Sequence, residues 1–193
     1  MRKFVYLISP KKISRNFYKD LNKVLAAKNV KFFQLRLKKI KVKETIQIVK
    51  KIRKILKKYS VKLIINDNPY IAKITNADGC HLGQKDGSIL NAKKYLKRQI
   101  VGVTCHNSKT FAKIAIRNKA DYLAFGSFNK SKLKPKAKKA NINILKWAKR
   151  NIKKPIVAIG GIKGSNYKKF IKFGAKYIAI SSYIWDNPKL KPE

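Results

Sequence analysis

Short β-branched runs alternate with longer amphipathic stretches along the whole chain, and that alternation limits the fold more than any other feature. The runs are Phe4 to Ile8, Lys31 to Leu37, Lys62 to Ile65, Gly79 to Leu82, Ile100 to Thr104, Tyr122 to Phe125, Ile156 to Ile159 and Tyr177 to Ser181. Between them, apolar residues recur at helical spacing, as at Phe17, Leu21, Val24 and Leu25, or at Ile46, Val49, Ile52, Ile55 and Leu56. Strands separated by helices connect by parallel crossovers. Eight strands with seven clear helical intervals in 193 residues give about 24 residues per unit. The pattern predicts an α/β fold, a (β/α)8 TIM barrel forming a single domain over residues 1–193, with a doubly wound open sheet as the alternative. No Pro/Gly/Ser-rich linker divides the chain. The eighth helix should be short, because Trp185 to Glu193 contains Pro188 and Pro192.

Charge comes next. The chain has 49 Lys and Arg against 8 Asp and Glu, a formal net charge of +41. Such a balance invites a nucleic-acid reading. Against it, Lys outnumbers Arg 42 to 7, whereas base and phosphate recognition leans on the Arg fork. The Lys also recur along the whole chain, and their company with Ile and Asn points to AT-rich codons. We therefore expect solvated Lys faces, no specific nucleic-acid partner, and loose polyanion binding at low salt. Two Cys, Cys80 and Cys105, exclude a disulfide scaffold and suit a reducing compartment. No apolar run approaches the roughly 18 residues of a membrane span. The stretch Val5 to Ile8 is too short for a secretory signal. The expectation is a cytoplasmic protein without a membrane partner.

Barrel enzymes carry their chemistry at the C-terminal strand ends. There the sequence offers Gln34, Arg36 and Lys38; Asn66 and Asp67; His81, Gln84 and Asp86; Thr104 and His106; Gly126, Ser127, Ser131 and Lys134; Gly160 and Gly161; Ser181 and Ser182. Ser9-Pro10 at the first end is uninformative. Strand geometry would send Gln34, Arg36 and Lys38 to one face, and cations gathered inside a barrel need anions such as a phosphorylated ligand. Asp67 and Asp86, at neighbouring strand ends, could share one Mg²⁺ with waters and a substrate phosphate. Taken singly, Asp67 also reads as a helix cap and Asp86 as a turn residue. The glycine pair and Ile180-Ser181-Ser182 lie where such barrels bind phosphate. Cys80-His81 and Cys105-His106 are poor zinc candidates, because strand neighbours face opposite sides. His81 reads better as a structural hydrogen-bonder, and His106 as a candidate acid or base.

These residues resemble the thiamine-phosphate synthase family from about Val5 to Ser182. The resemblance is carried by Gln34-Leu35-Arg36-Leu37-Lys38, Ile65-Asn66-Asp67, Asp78 to Asp86, Gly102-Val103-Thr104, Gly126 to Pro135 and Ala158 to Ile162. It implies a Mg²⁺-dependent transferase barrel acting on phosphorylated small molecules. Such an enzyme couples hydroxymethylpyrimidine pyrophosphate with thiazole phosphate and releases pyrophosphate. By the same resemblance Arg36, Lys38, Asn66 and Lys134 would hold the pyrophosphate, with Arg36, Lys38 and Lys134 as the catalytic cations. Asp67 and Asp86 would bind Mg²⁺, and Gln34 and Thr104 would face the pyrimidine. Ser131, Gly161, Ile180 and Ser181 would border the thiazole phosphate. Two positions depart from the family pattern: Leu133 where a second hydroxyl is usual, and Asn29 where Gly is usual. A thiazole tautomerase of the same fold uses a His after the fifth strand, where His106 stands, but lacks the acid found here at Asp86. A non-catalytic RNA-binding barrel is the alternative from another class; it would place its Lys on one side, whereas a solvated surface would carry them all round.

Overall fold

Eight parallel strands close on themselves in chain order, β1 pairing with both β2 and β8. The computed structural model describes residues 4–38, 40–129 and 139–186. The strands are β1 (Val5–Ile8), β2 (Val30–Leu35), β3 (Lys62–Asn66), β4 (Gly79–Leu82), β5 (Ile100–His106), β6 (Tyr122–Phe125), β7 (Ile156–Ile159) and β8 (Tyr177–Ile180). After each comes a helix: α1 (Phe17–Ala26), α2 (Val42–Lys58), α3 (Pro69–Ile74), α4 (Ile89–Leu96), α5 (Lys109–Arg117), α6 (Asn143–Asn151), α7 (Tyr167–Lys172) and α8 (Ser182–Trp185). The expected barrel is observed, and the open sheet is not.

Period-2 alternation divides each strand between two cores. Inside the barrel lie Tyr6, Ile8, Phe32, Ile64, Tyr122, Ala124, Val157, Tyr177 and Ala179. The outward set, including Leu7, Phe33, Leu35, Leu63, Ile65 and Val101, packs under helix residues such as Phe17, Leu21, Ile52 and Leu56. Helix α2 shows why the helices settle as they do. Ile48, Val49, Ile52, Ile55 and Leu56 form its buried stripe, while Lys50, Lys51, Lys54, Lys57 and Lys58 are exposed. Exposed Lys recur on every helix from α1 to α7, at Lys19, Lys54, Lys73, Lys94, Lys113, Lys146 and Lys168, so the positive coat runs around the barrel. No described helix is long and apolar enough to cross a membrane.

Two of the scarce acids are fasteners at the end of the barrel away from the strand C-termini. Asp78 accepts the Leu63 N–H at 2.8 Å. Asp121 accepts the Val101 N–H at 2.7 Å and pairs with Lys93 Nζ at 2.8 Å. The turn into β2 takes its positive φ at Lys28 (56°), leaving Asn29 to accept the Phe4 and Val5 N–H groups at 3.0 and 3.1 Å.

The last helix is one turn, as the prolines beyond it led us to expect, and side chains complete the closure. Ser181 Oγ donates to the Ser9 carbonyl at 3.1 Å, and Trp185 Nε1 donates to the Ile8 carbonyl at 2.6 Å. The Trp185 ring lies 5.3 Å from Phe17, clamping the β1–β8 seam from outside.

Candidate active site

The C-terminal strand ends open into one pocket, a cavity of about 150 Å³ that is open to solvent. Gln34 is buried at its floor, on the inward face of β2. The strand stops at Leu35, two residues before the sequence pattern suggested, where its pairing with β3 ends at Ile65. Arg36 and Lys38 therefore reach the pocket from the following loop rather than from the strand face. The reason is local: the Arg36 N–H leaves the ladder and donates to Ser9 Oγ at 3.0 Å. Asn66 and Asp67 enter from β3, His81, Gly83 and Asp86 from β4 and its loop, and Thr104 and His106 from β5. Gly126 and Ser127 follow β6, Gly160 and Gly161 follow β7, and Ile180 to Tyr183 complete the rim. Of the twelve residues given binding or metal roles by the resemblance, Ser131 and Lys134 lie outside the described residues, as does Leu133 of the same loop. The other ten come together in this pocket, whereas Gln84, also offered by the sequence, does not line it and donates to the Thr104 carbonyl.

Asp67 occupies the left-handed region at φ 63°, which Asp tolerates better than most side chains. Its N–H reaches the His81 carbonyl at 2.8 Å. Its carboxylate lies 3.7 Å from Lys38 Nζ and within hydrogen-bonding reach of Asp86. Asp86 in turn accepts the Gly83 N–H at 2.7 Å, and a Cβ at Gly83 would press on that same oxygen at 2.7 Å. Burial raises the Asp67 carboxyl above its ordinary range. The Asp86 hydrogen bond and charge push the same way, and Lys38 and Arg36 pull it back. Two such carboxyls hold a shared proton or a cation.

The opposite wall is a backbone turn. Gly160 and Gly161 both have positive φ, 105° and 57°, and a Cβ on Gly160 would collide with Ser127. Asn129 Nδ2 donates to the Gly160 and Gly161 carbonyls at 3.4 and 3.2 Å, and Asn166 Nδ2 donates to Gly161 at 3.4 Å. These two amides fix the turn, and no local sequence pattern marks either of them. Ser9, passed over in the sequence, tethers Arg36 on one side and Ser181 on the other. Ser181 lines the pocket with its hydroxyl proton committed to Ser9.

The zinc reading fails on position and chemistry. Cys80 and Cys105 are buried in the outer core, and burial pushes both thiols up to about 12, so neither offers a thiolate. Among the described residues no three His, Cys, Asp or Glu side chains cluster as a metal cage.

The sequence profile of a family described as thiamine monophosphate synthase matches residues 5–184. The chain belongs to the thiamine monophosphate synthase family. A thiamine-phosphate synthase of Pelagibacter ubique is 56% identical over 192 residues, spanning 99% of this chain and 93% of that one. One from Erythrobacter litoralis is 38% identical, spanning 94% of this chain and 87% of its own length. Among solved structures, a thiamine phosphate pyrophosphorylase from Pyrococcus furiosus superposes with a TM-score of 0.87 at 26% identity, covering 98% of this chain and 90% of that one. The thiamine monophosphate synthase assignment thus spans the barrel from β1 into α8, including every wall of the pocket.

Proposed function

We infer that this protein is a thiamine-phosphate synthase, a transferase that couples 4-amino-2-methyl-5-hydroxymethylpyrimidine pyrophosphate with thiazole phosphate. One observation carries the residue assignments: Arg36 and Lys38 face the Asp67–Asp86 pair in a pocket whose other wall is the Gly160-Gly161 turn. The relatives at high identity are synthases, which favours this reading over the tautomerase and over a non-catalytic barrel, although His106 does line the pocket. The all-round Lys coat also suits solvation better than one nucleic-acid face. We place the enzyme's work in the cytoplasm, which the unpaired Cys80 and Cys105 suit.

The donor set fits Mg²⁺. Two adjacent carboxylates supply hard oxygens, and among the described residues no third acid lines the pocket, which leaves positions for substrate and water. Asp67 and Asp86 would hold the ion, which when bound neutralises charge on the pyrophosphate. Arg36, Lys38 and Asn66 bind the same group, with Lys134 as a further cation from the loop after β6. As the exocyclic methylene C–O bond breaks, the pyrophosphate leaves with the electron pair, and Arg36, Lys38 and Asn66, which line the pocket, stabilise the growing charge. Gln34 and Thr104 hold the pyrimidine. Ser131, Gly161, Ile180 and Ser181 border the thiazole phosphate and set its ring nitrogen towards the methylene, where the C–N bond forms. That nitrogen brings its own lone pair, so no protein base is needed, and placement dominates. Ile8, Ile159, Ile162 and Ala179 line the pocket with apolar surface, which limits attack by water.

The test is formation of thiamine phosphate and pyrophosphate from both substrates, with and without Mg²⁺. Mg²⁺-dependent product in equal amounts is the expected result. Absence of product from folded protein would overturn the reading.

A further inference from the structure

A chain of four hydrogen-bonding side chains runs from the closed interior of the barrel into the pocket. Tyr6 Oη lies 2.7 Å from Tyr122 Oη. Tyr122 Oη lies 2.9 Å from His81 Nδ1, and His81 Nε2 lies 2.8 Å from Thr104 Oγ1. Tyr6 and Tyr122 are each 2% exposed. Their phenols are wholly buried, and burial raises both far above the ordinary value, so both keep their protons. Thr104 lines the pocket.

Counting protons gives the chain a direction. Each phenol has one proton to place, and a buried donor without an acceptor costs about 1–3 kcal/mol. If His81 carried its proton on Nδ1, that N–H would donate to Tyr122. One of the two phenol protons would then have no acceptor, because among the described residues each phenol has only the other left as partner. A doubly protonated ring strands a phenol proton in the same way. Only the neutral ring with its proton on Nε2 places every proton: Tyr6 donates to Tyr122, Tyr122 to Nδ1, and Nε2 to Thr104 Oγ1. The Thr104 hydroxyl then accepts from within and keeps its own proton for the pocket.

We propose that the Tyr6–Tyr122 pair sets the tautomer of His81 and thereby makes Thr104 a hydrogen-bond donor to the ligand. The three buried residues are positioning residues, acting through Thr104. This sharpens, and rests on, the assignment of Thr104 to the pyrimidine: the group it recognises is an acceptor, such as a ring nitrogen, rather than the exocyclic amine. The fold makes room for the arrangement. A Cβ at Gly102 would collide with the Tyr122 ring, so the bare glycine on β5 lets Tyr122 cross from β6 to His81 on β4. The His81 and Tyr122 rings stack there at 5.6 Å between centroids and 19° between planes.

The tautomer is read directly on the full-length free protein by ¹⁵N NMR of histidine-labelled material. The chain has two His, and His106→Gln assigns the signals. The expected result is a proton on Nε2 and a bare Nδ1 for His81 at neutral pH. A proton on Nδ1, or on both nitrogens, overturns the proposal. Steady-state kinetics then test the consequence. Thr104→Val should raise KM for the pyrimidine pyrophosphate about tenfold, the equivalent of one hydrogen bond, with KM for thiazole phosphate unchanged. Tyr122→Phe should raise the same KM severalfold in the parent and have no further effect in the Thr104→Val background. Independent, multiplying effects would overturn the coupling. If Thr104→Val leaves the pyrimidine KM unchanged while NMR shows Nε2–H, the pyrimidine assignment of Thr104 fails and the tautomer assignment stands.

Discussion

Asp67 and Asp86 face each other across neighbouring strand ends in a chain with only eight acids. Changing Asp67 to Asn should lower Mg²⁺-dependent turnover at least 100-fold with an unaltered circular dichroism spectrum; unchanged turnover would remove Asp67 from the metal site. Asp86→Asn should separate function from stability. Asp67 has a raised pKa in the folded chain, so the folded state binds its proton more tightly than the unfolded state. Stability from this group is therefore lost as pH rises from about 4 through the raised value. Removing the Asp86 charge relieves part of that penalty. The metal-free Asp86→Asn protein should melt a few degrees above the parent at pH 7, a gain of about 1 kcal/mol. The gap should close below about pH 4, and Mg²⁺ should stabilise only the parent. Both acids were legible in the sequence because scarcity made them conspicuous. Ser9 was not, because its partners Arg36 and Ser181 are 27 and 172 residues away.

At the scale of elements, the boundaries that matter are set by tertiary contacts. Periodicity located β2 but ran it to Leu37, and the strand ends at Leu35 because the chain turns to meet Ser9. The inward phase of each strand was ambiguous for β2, where apolar residues occupy both faces; packing resolves it with Phe32 and Gln34 inside and Phe33 and Leu35 outside. Strand β5 carries a test of the close fit at its centre. Gly102→Ala should cost about 1–3 kcal/mol by overpacking against Tyr122, read by denaturant melts, because that ring is fixed by its bond to His81. On α8, Trp185→Phe keeps the contact with Phe17 and deletes the bond to the Ile8 carbonyl. The expected loss is about 0.5–1.5 kcal/mol.

The whole molecule is a strongly charged object with little internal compensation: two ion pairs occur among the described residues, Lys38–Asp67 and Lys93–Asp121. Self-repulsion at +41 should make the protein more stable as salt is added, through screening. Thermal melts between 10 and 150 mM NaCl should move upward, and a downward shift would mean that attractive pairs dominate. The barrel itself was legible at this scale because each βα unit announces itself locally. The side-chain contacts that seal its closure were not, since they join opposite ends of the chain. That seam has a consequence during synthesis. A nascent chain stalled before Tyr177 lacks β8 and leaves both β1 and β7 as open sheet edges, and the rim supplied by Ile180 to Tyr183 is missing from its pocket. Release of the final units from the ribosome is therefore the event that both buries the last edges and completes the active-site rim, so a truncated product is exposed to proteolysis and inactive at once.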